Sequence, residues 1–152
     1  QTFQHILSHK NLIFVPLKSK KICLYVGKYH PLYHEESVDF SDLPKLRFVR
    51  GVRDFFSMEH HLESVSMGII DTKNLHHSVY TNSDHLYTDL LLYTDVCSLG
   101  LDFMHEPYEQ YDIKSLPING CEPFLQIGYI RDPERVLSEQ SVWIIENFEK
   151  ML

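Results

Sequence analysis

Ser78-Val-Tyr80-Thr81-Asn82-Ser83-Asp84, followed by Leu86, Leu90 and Tyr93, decides the fold class. Ser78-Val-Tyr80 reads as a short strand. Asn82, Ser83 and Asp84 are three successive candidate N-caps, residue types whose side-chain oxygen can accept from a first-turn N–H. Leu86, Leu90 and Tyr93 then recur at spacings of three and four, which predicts a helix to about Thr94 with those residues on its apolar face. A strand passing through a cap into an amphipathic helix is the elementary step of an α/β fold.

The step recurs on both sides. Upstream, Leu46-Arg-Phe48-Val49 reads as a strand broken by Gly51, and Arg53 to Met67 reads as a helix. Phe55, Met58, Leu62 and Val65 supply its face and Gly68 its stop. Earlier still, Leu12-Ile-Phe-Val15 and Ile22-Cys-Leu-Tyr-Val26 have strand length and composition, with Pro16 marking an end or an edge. Lys18-Ser-Lys-Lys21 between them is turn-like, and Val38 to Leu43 reads as a short alternating strand leading into a turn at Asp42-Leu43-Pro44. Downstream, Gly100 to Phe103, Ile113 to Ile118 and Phe124 to Ile130 read as strands. Ser138 caps a last helix in which Val142, Ile145, Phe148 and Leu152 share a face that Trp143 and Ile144 widen. There is no internal repeat and no low-complexity linker.

At 152 residues the chain is one domain or two small lobes, and folding at this size buries roughly 70% of the unfolded surface. With 14 Lys and Arg against 21 Asp and Glu, the net charge of −7 lacks the footprint of a phosphate-backbone binder, so this polypeptide alone is not expected to bind DNA or RNA. Three cysteines, Cys23, Cys97 and Cys121, with no CxxC spacing fit reduced thiols in a cytoplasmic protein. The polar Gln1 to Lys10 is no signal peptide, and no segment approaches the roughly 20 apolar residues of a membrane span, so no membrane partner is expected. The first strand-like run follows almost at once and no Met opens the chain, as in a fragment of something longer.

Catalytic signatures are missing. Of ten histidines, His60 and Glu63 would be helical neighbours, but no HExxH or Cys/His zinc spacing accompanies them, and a solvated polar face explains them. No GxSxG, GxGxxG or P-loop occurs, Cys97 and Cys121 read as buried structural thiols, and Glu35-Glu36 and Glu106/Glu109 read as loop charge. Neither an enzyme nor a cofactor is called for. Two strand-to-helix junctions remain, one holding Arg50, Gly51 and Arg53, the other Thr81, Asn82 and Ser83. In open α/β sheets ligands bind beyond the carboxyl ends of strands, where helix N-termini offer N–H groups and an Arg can clamp a carboxylate or phosphate. The plainer reading is a capped helix and a surface ion pair.

The order of segments resembles the effector domain of LysR-type transcriptional regulators. The resemblance rests on Leu12-Ile-Phe-Val-Pro-Leu17, Ile22-Cys-Leu-Tyr-Val26, His30-Pro-Leu32, Val38-x-Phe40-x-Asp42-Leu43, Tyr80-Thr-Asn-Ser83, Val96-Cys-Ser-Leu-Gly100-Leu-Asp-Phe103, Phe124 to Ile130 and Arg131 to Leu152. It implies an α/β, periplasmic-binding-protein-like (type II) fold of two lobes. Residues 1–22 would be a remnant of the first lobe, 23–121 the second lobe, and 122–152 a crossover strand and the closing helix of the first. Ile22 to Val26 and Phe124 to Ile130 would be the crossovers. The winged helix-turn-helix and the opening strand-helix-strand of the first lobe are not in this sequence.

What the resemblance implies for function is a small, anionic effector at Arg50, Gly51, Thr81, Asn82 and Ser83, a homodimer or homo-oligomer, and DNA contact only through the absent helix-turn-helix domain. The alternative is an extracytoplasmic solute-binding protein of a transporter, which the reduced-looking cysteines disfavour.

Overall fold

The computed structural model describes residues 3–51, 66, 75, 78–102, 108 and 110–152. They form two compact units, Gln1–Lys20 with Phe124–Leu152, and Lys21–Pro123. The expected helix from Arg53 to Met67 lies outside the described residues except for Ser66.

The second unit is built on a five-stranded mixed sheet. Its strands are β2 (Ile22–Gly27), β3 (Phe48–Gly51), β4 (Ser78–Thr81), β5 (Cys97–Leu101) and β6 (Ile113–Pro117), in the order β4-β3-β5-β2-β6. β3 is parallel to β4 and β5, while β2 runs antiparallel to β5 and β6. All six residues of β2 are buried, as expected of a strand covered on both faces. Helix α2 (Asp84–Tyr93) covers one face, where Cys23, Tyr25, Val49, Leu91, Val96 and Ile113 form a cluster. Val38 to Leu43 is not a strand: Val38 alone bridges to Ile118, and a single 3-10 turn, Leu43–Lys45, follows with Pro44 in its first positions.

α2 spans the expected residues but turns a different side inward. Leu91 is fully buried and Tyr87, Leu90 and Leu92 pack on the cluster, whereas Leu86 and Tyr93 are exposed. The cause is contact with β2 at Gly27, where a Cβ would overlap the Leu91 carbonyl oxygen. The helix can approach so closely only with that turn against the strand. His30 closes the turn after β2. It is buried, its N–H donates to the Gly27 carbonyl at 2.9 Å, and its Nδ1 accepts from the Leu32 N–H at 3.1 Å. Burial pushes its pKa down from the ordinary 6.5, a shift that Asp95 opposes in part.

The first unit holds α1 (Phe3–His9), β1 (Ile13–Lys20), β7 (Leu125–Arg131) and α3 (Glu139–Met151). The short α1 was not anticipated from its polar sequence. It ends in a Schellman motif: Asn11 has φ of 56°, its N–H donates to Ser8 O, and the Leu12 N–H donates to Leu7 O. β1 runs through Pro16 and the lysine-rich stretch rather than ending there. Its register against β7 shifts between Pro16 and Lys18, a bulge that accommodates a residue with no N–H to give. β1 is therefore the partner of β7, and Ile22–Gly27, which follows it after a single residue, is an inner strand of the other unit's sheet. Gly128 faces Pro16 across the ribbon, where any Cβ would overlap the Val15 carbonyl. No helix among the described residues is long and apolar enough to cross a membrane.

Two outcomes follow from this packing. Gly27→Ala should lower stability by about 3 kcal/mol, read as a shifted urea midpoint, because backbone rather than a flexible side chain must move. Because His30 binds its proton more weakly folded than unfolded, its contribution is complete above the unfolded value of 6.5 and is lost as pH falls below it. Urea titrations between pH 7.5 and 5 should show that loss, and His30→Asn should flatten the slope.

Candidate functional site

The parallel pairing of β3 with β4 sets Arg50 opposite Tyr80 and Gly51 opposite Thr81. The carboxyl ends of both strands thus reach one edge of the sheet, and α2 begins there. Arg50, Gly51, Thr81, Asn82 and Ser83, expected at two junctions some thirty residues apart, are brought together by that register. Arg53 lies outside the described residues. Phe48 meets Cys97 and Leu101 meets Ile22, so the carboxyl end of β5 and the start of β2 border the same edge.

The turn from β4 to α2 is held by two hydroxyls in series. Thr81, buried at the strand end, accepts through Oγ1 from the Ser83 N–H at 3.1 Å. Ser83, with extended φ of −109°, accepts through Oγ from the Leu86 N–H at 3.2 Å, and its carbonyl takes the Tyr87 N–H at 2.9 Å. Each hydroxyl oxygen spends a lone pair on backbone, so the proton each carries is what it can offer to a ligand acceptor. Asn82, exposed between them, adds amide donors. The N–H groups of Asp84 and His85 belong to the first turn, whose N–H groups have no partner within the helix itself, at the positive end of the helix dipole. The Asp84 carboxylate offsets part of that charge.

Arg50 supplies a full positive charge. Its Nη1 donates to the Tyr80 hydroxyl at 3.2 Å, and the guanidinium lies 5.9 Å from the centre of the same ring. Tyr80, an exposed residue expected only as part of the strand and its junction, is thereby a partner of Arg50. The signal for it was the pairing register, which no local pattern carries. Gly51 is exposed with open space where a Cβ would stand, so packing does not demand glycine there and the backbone is left open to approach.

Donors and positive charge therefore meet at this edge, and none of the cysteines among the described residues does. Cys23, Cys97 and Cys121 are free and buried, and burial pushes all three thiols up from their ordinary value. Cys97 Sγ donates to the Arg47 carbonyl at 3.3 Å and Cys23 Sγ to the Gly100 carbonyl at 3.6 Å, as structural thiols do. Among the described residues no three His, Cys, Asp or Glu side chains gather as a metal site, and His60, His61 and Glu63 lie outside those residues. The arrangement can bind and orient an anion.

No protein-family model matches the sequence, and no curated protein matches it either. Solved structures do. The effector-binding domain of QuiR in complex with shikimate matches with a TM-score of 0.62 at 19% identity, covering 92% of this chain and 64% of that one. The reduced form of OxyR matches with a TM-score of 0.63 at 19% identity, covering 95% and 66%. The regulatory domain of Synechocystis CcmR in complex with 2-PG matches with a TM-score of 0.63 at 10% identity, covering 97% and 76%. The chain therefore has the α/β, periplasmic-binding-protein-like (type II) fold of LysR-family effector-binding domains. It spans about two thirds of the length of the first of them. Two of the three, an effector-binding domain and a regulatory domain, carry small-molecule ligands.

The cap at this edge can be weighed directly. Ser83→Ala should cost about 1 kcal/mol of stability by denaturant titration, while Ser83→Asp, which keeps an acceptor, should cost only a few tenths.

Proposed function

We propose that this chain is the effector-binding part of a LysR-type transcriptional regulator. On this reading it senses a small anionic metabolite and controls DNA binding by a helix-turn-helix domain elsewhere in the full protein. The observation that carries it is the meeting of Arg50, Thr81, Asn82, Ser83 and the first turn of α2 at the carboxyl edge of β3 and β4, in the fold of known effector-binding domains. Arg50 would take the anion's charge through its guanidinium. The hydroxyl protons of Thr81 and Ser83 and the amide of Asn82 would satisfy its remaining oxygens, and the open backbone at Gly51 would admit it. The ligands of QuiR and CcmR, shikimate and 2-PG, support a small metabolite as the class.

The effector acts by differential affinity. It favours whichever arrangement of the regulator binds it more tightly, and the bias passes through a homo-oligomer to the DNA-binding domain. No chemical step is assigned: the proposal is one of binding, and burial disfavours the thiolate form of all three cysteines. The three free, buried cysteines support a reducing, cytoplasmic setting.

A panel of carboxylates and phosphorylated metabolites, screened by thermal shift and then by calorimetry on the full-length protein, tests the site. At least one anion should bind. Arg50→Ala should weaken it roughly ten- to a hundredfold, the worth of a charged hydrogen bond, and Ser83→Ala should weaken it less. Unchanged affinity in both variants would remove this edge from consideration.

A further inference from the structure

Of the ten histidines, two stand together on α1, in the unit that does not hold the candidate site. His5 and His9 are both exposed, with ring centres 6.2 Å apart and ring planes inclined at 55°. Residues at i and i+4 share one face of a helix, so the backbone itself brings these imidazoles together. Leu7, midway between them, points to the opposite side and is buried. Ser8 turns its hydroxyl to the His5 carbonyl at 3.1 Å. On α2 the same spacing joins His85 to Asp89, where the imidazole Nε2 lies 3.4 Å from a carboxylate oxygen. On α1 both members of the pair are nitrogen donors.

The separation fits a shared metal ion. An imidazole bound at about 2.1 Å through nitrogen has its ring centre about 3.2 Å from the ion, so two rings on one ion lie at most about 6.4 Å apart. At bent coordination angles the centres close to about 5 Å, a shift within the torsional freedom of two exposed side chains. His9 also occupies the last turn of α1, where the helix dipole presents its negative end to a cation. We propose that His5 and His9 form a two-imidazole surface site for a divalent copper, nickel or zinc ion, with water completing the shell. Imidazole pairs select such ions over magnesium and calcium, which take oxygen ligands. The ion would clamp one turn of a seven-residue helix that is too short to persist by propensity alone. Because only the helical form presents both nitrogens, occupancy stabilises α1 by mass action. The inference does not rest on effector binding, so either can fail without the other.

Calorimetric titration of the full-length protein with Ni²⁺ tests the site, with Mg²⁺ as the control ion. Ni²⁺ should bind saturably and Mg²⁺ should not compete with it. His5→Gln and His9→Gln should each weaken Ni²⁺ at least roughly tenfold, because one remaining imidazole cannot chelate. Glutamine is a better helix former than histidine, so the loss would not come from a melted helix. His9→Gln combined with Lys10→His keeps two histidines but sets them on different sides of the chain, and should bind as weakly as His9→Gln alone. Diethyl pyrocarbonate, which acylates exposed imidazole nitrogens, gives the location. Ni²⁺ should lower the labelling of His5 and His9 several-fold, read by mass spectrometry of the tryptic peptide that ends at Lys10. Equal Ni²⁺ affinity in the parent and both single variants would overturn the proposal, as would full binding by the displaced pair. Labelling of His5 and His9 that Ni²⁺ leaves unchanged would overturn it too, by placing the ion on other histidines.

Discussion

The approach of α2 to β2 at Gly27 is the constraint on which the better-built half of the molecule depends. With no side chain at that residue, the backbone of Leu91 and Leu92 settles directly on the strand. Leu91 then fills the cluster around Cys23, Tyr25 and Val49. Each such side chain taken fully from water contributes about 1.5–3 kcal/mol, so the cluster outweighs the modest propensity of a ten-residue helix. The same contact fixes where the helix begins. Its N-terminus comes to the sheet edge because its last turn is clamped to β2, and the His30 turn begins on the carbonyl of that same glycine.

The candidate site inherits its order from this arrangement. Thr81 and Ser83 first serve backbone, and that service orients them. A ligand meeting this edge finds donors already positioned by secondary structure, so little side-chain freedom is lost on binding. Arg50 differs in being a long side chain, which meets the hydroxyl and the ring of Tyr80.

Much of this was legible residue by residue. The Asn82-Ser83-Asp84 cap and the apolar period behind it placed α2 within a residue, and Ser138 did the same for α3. Those signals are local, because a cap and a helical stripe are made by neighbours in sequence. What escaped was set at a distance. The inward side of α2 was decided by Gly27, nearly sixty residues before the helix, among three consecutive leucines that suit either side. The continuation of β1 past Pro16 was decided by its bulged pairing with β7. Asn11 held the one local clue to α1, a residue tolerant of positive φ just after a helical turn. The five site residues could be named, but their meeting at one edge, and the part of Tyr80, follow from strand register alone.

The two units also differ in how their chains are written, and this bears on the route by which they form. Lys21–Pro123 is one uninterrupted stretch, whereas the ribbon joins Ile13 to Arg131 across 118 positions. A contact so distant in sequence must await a costly loop closure, and in vectorial synthesis β7 leaves the ribosome only after the whole intervening unit. The five-stranded sheet can therefore assemble without waiting for the ribbon. β1 and β7 are the late pairing, and the Phe124 N–H to Lys20 carbonyl bond, at 3.3 Å, is the rung that closes the shortest loop and from which the rest can zip.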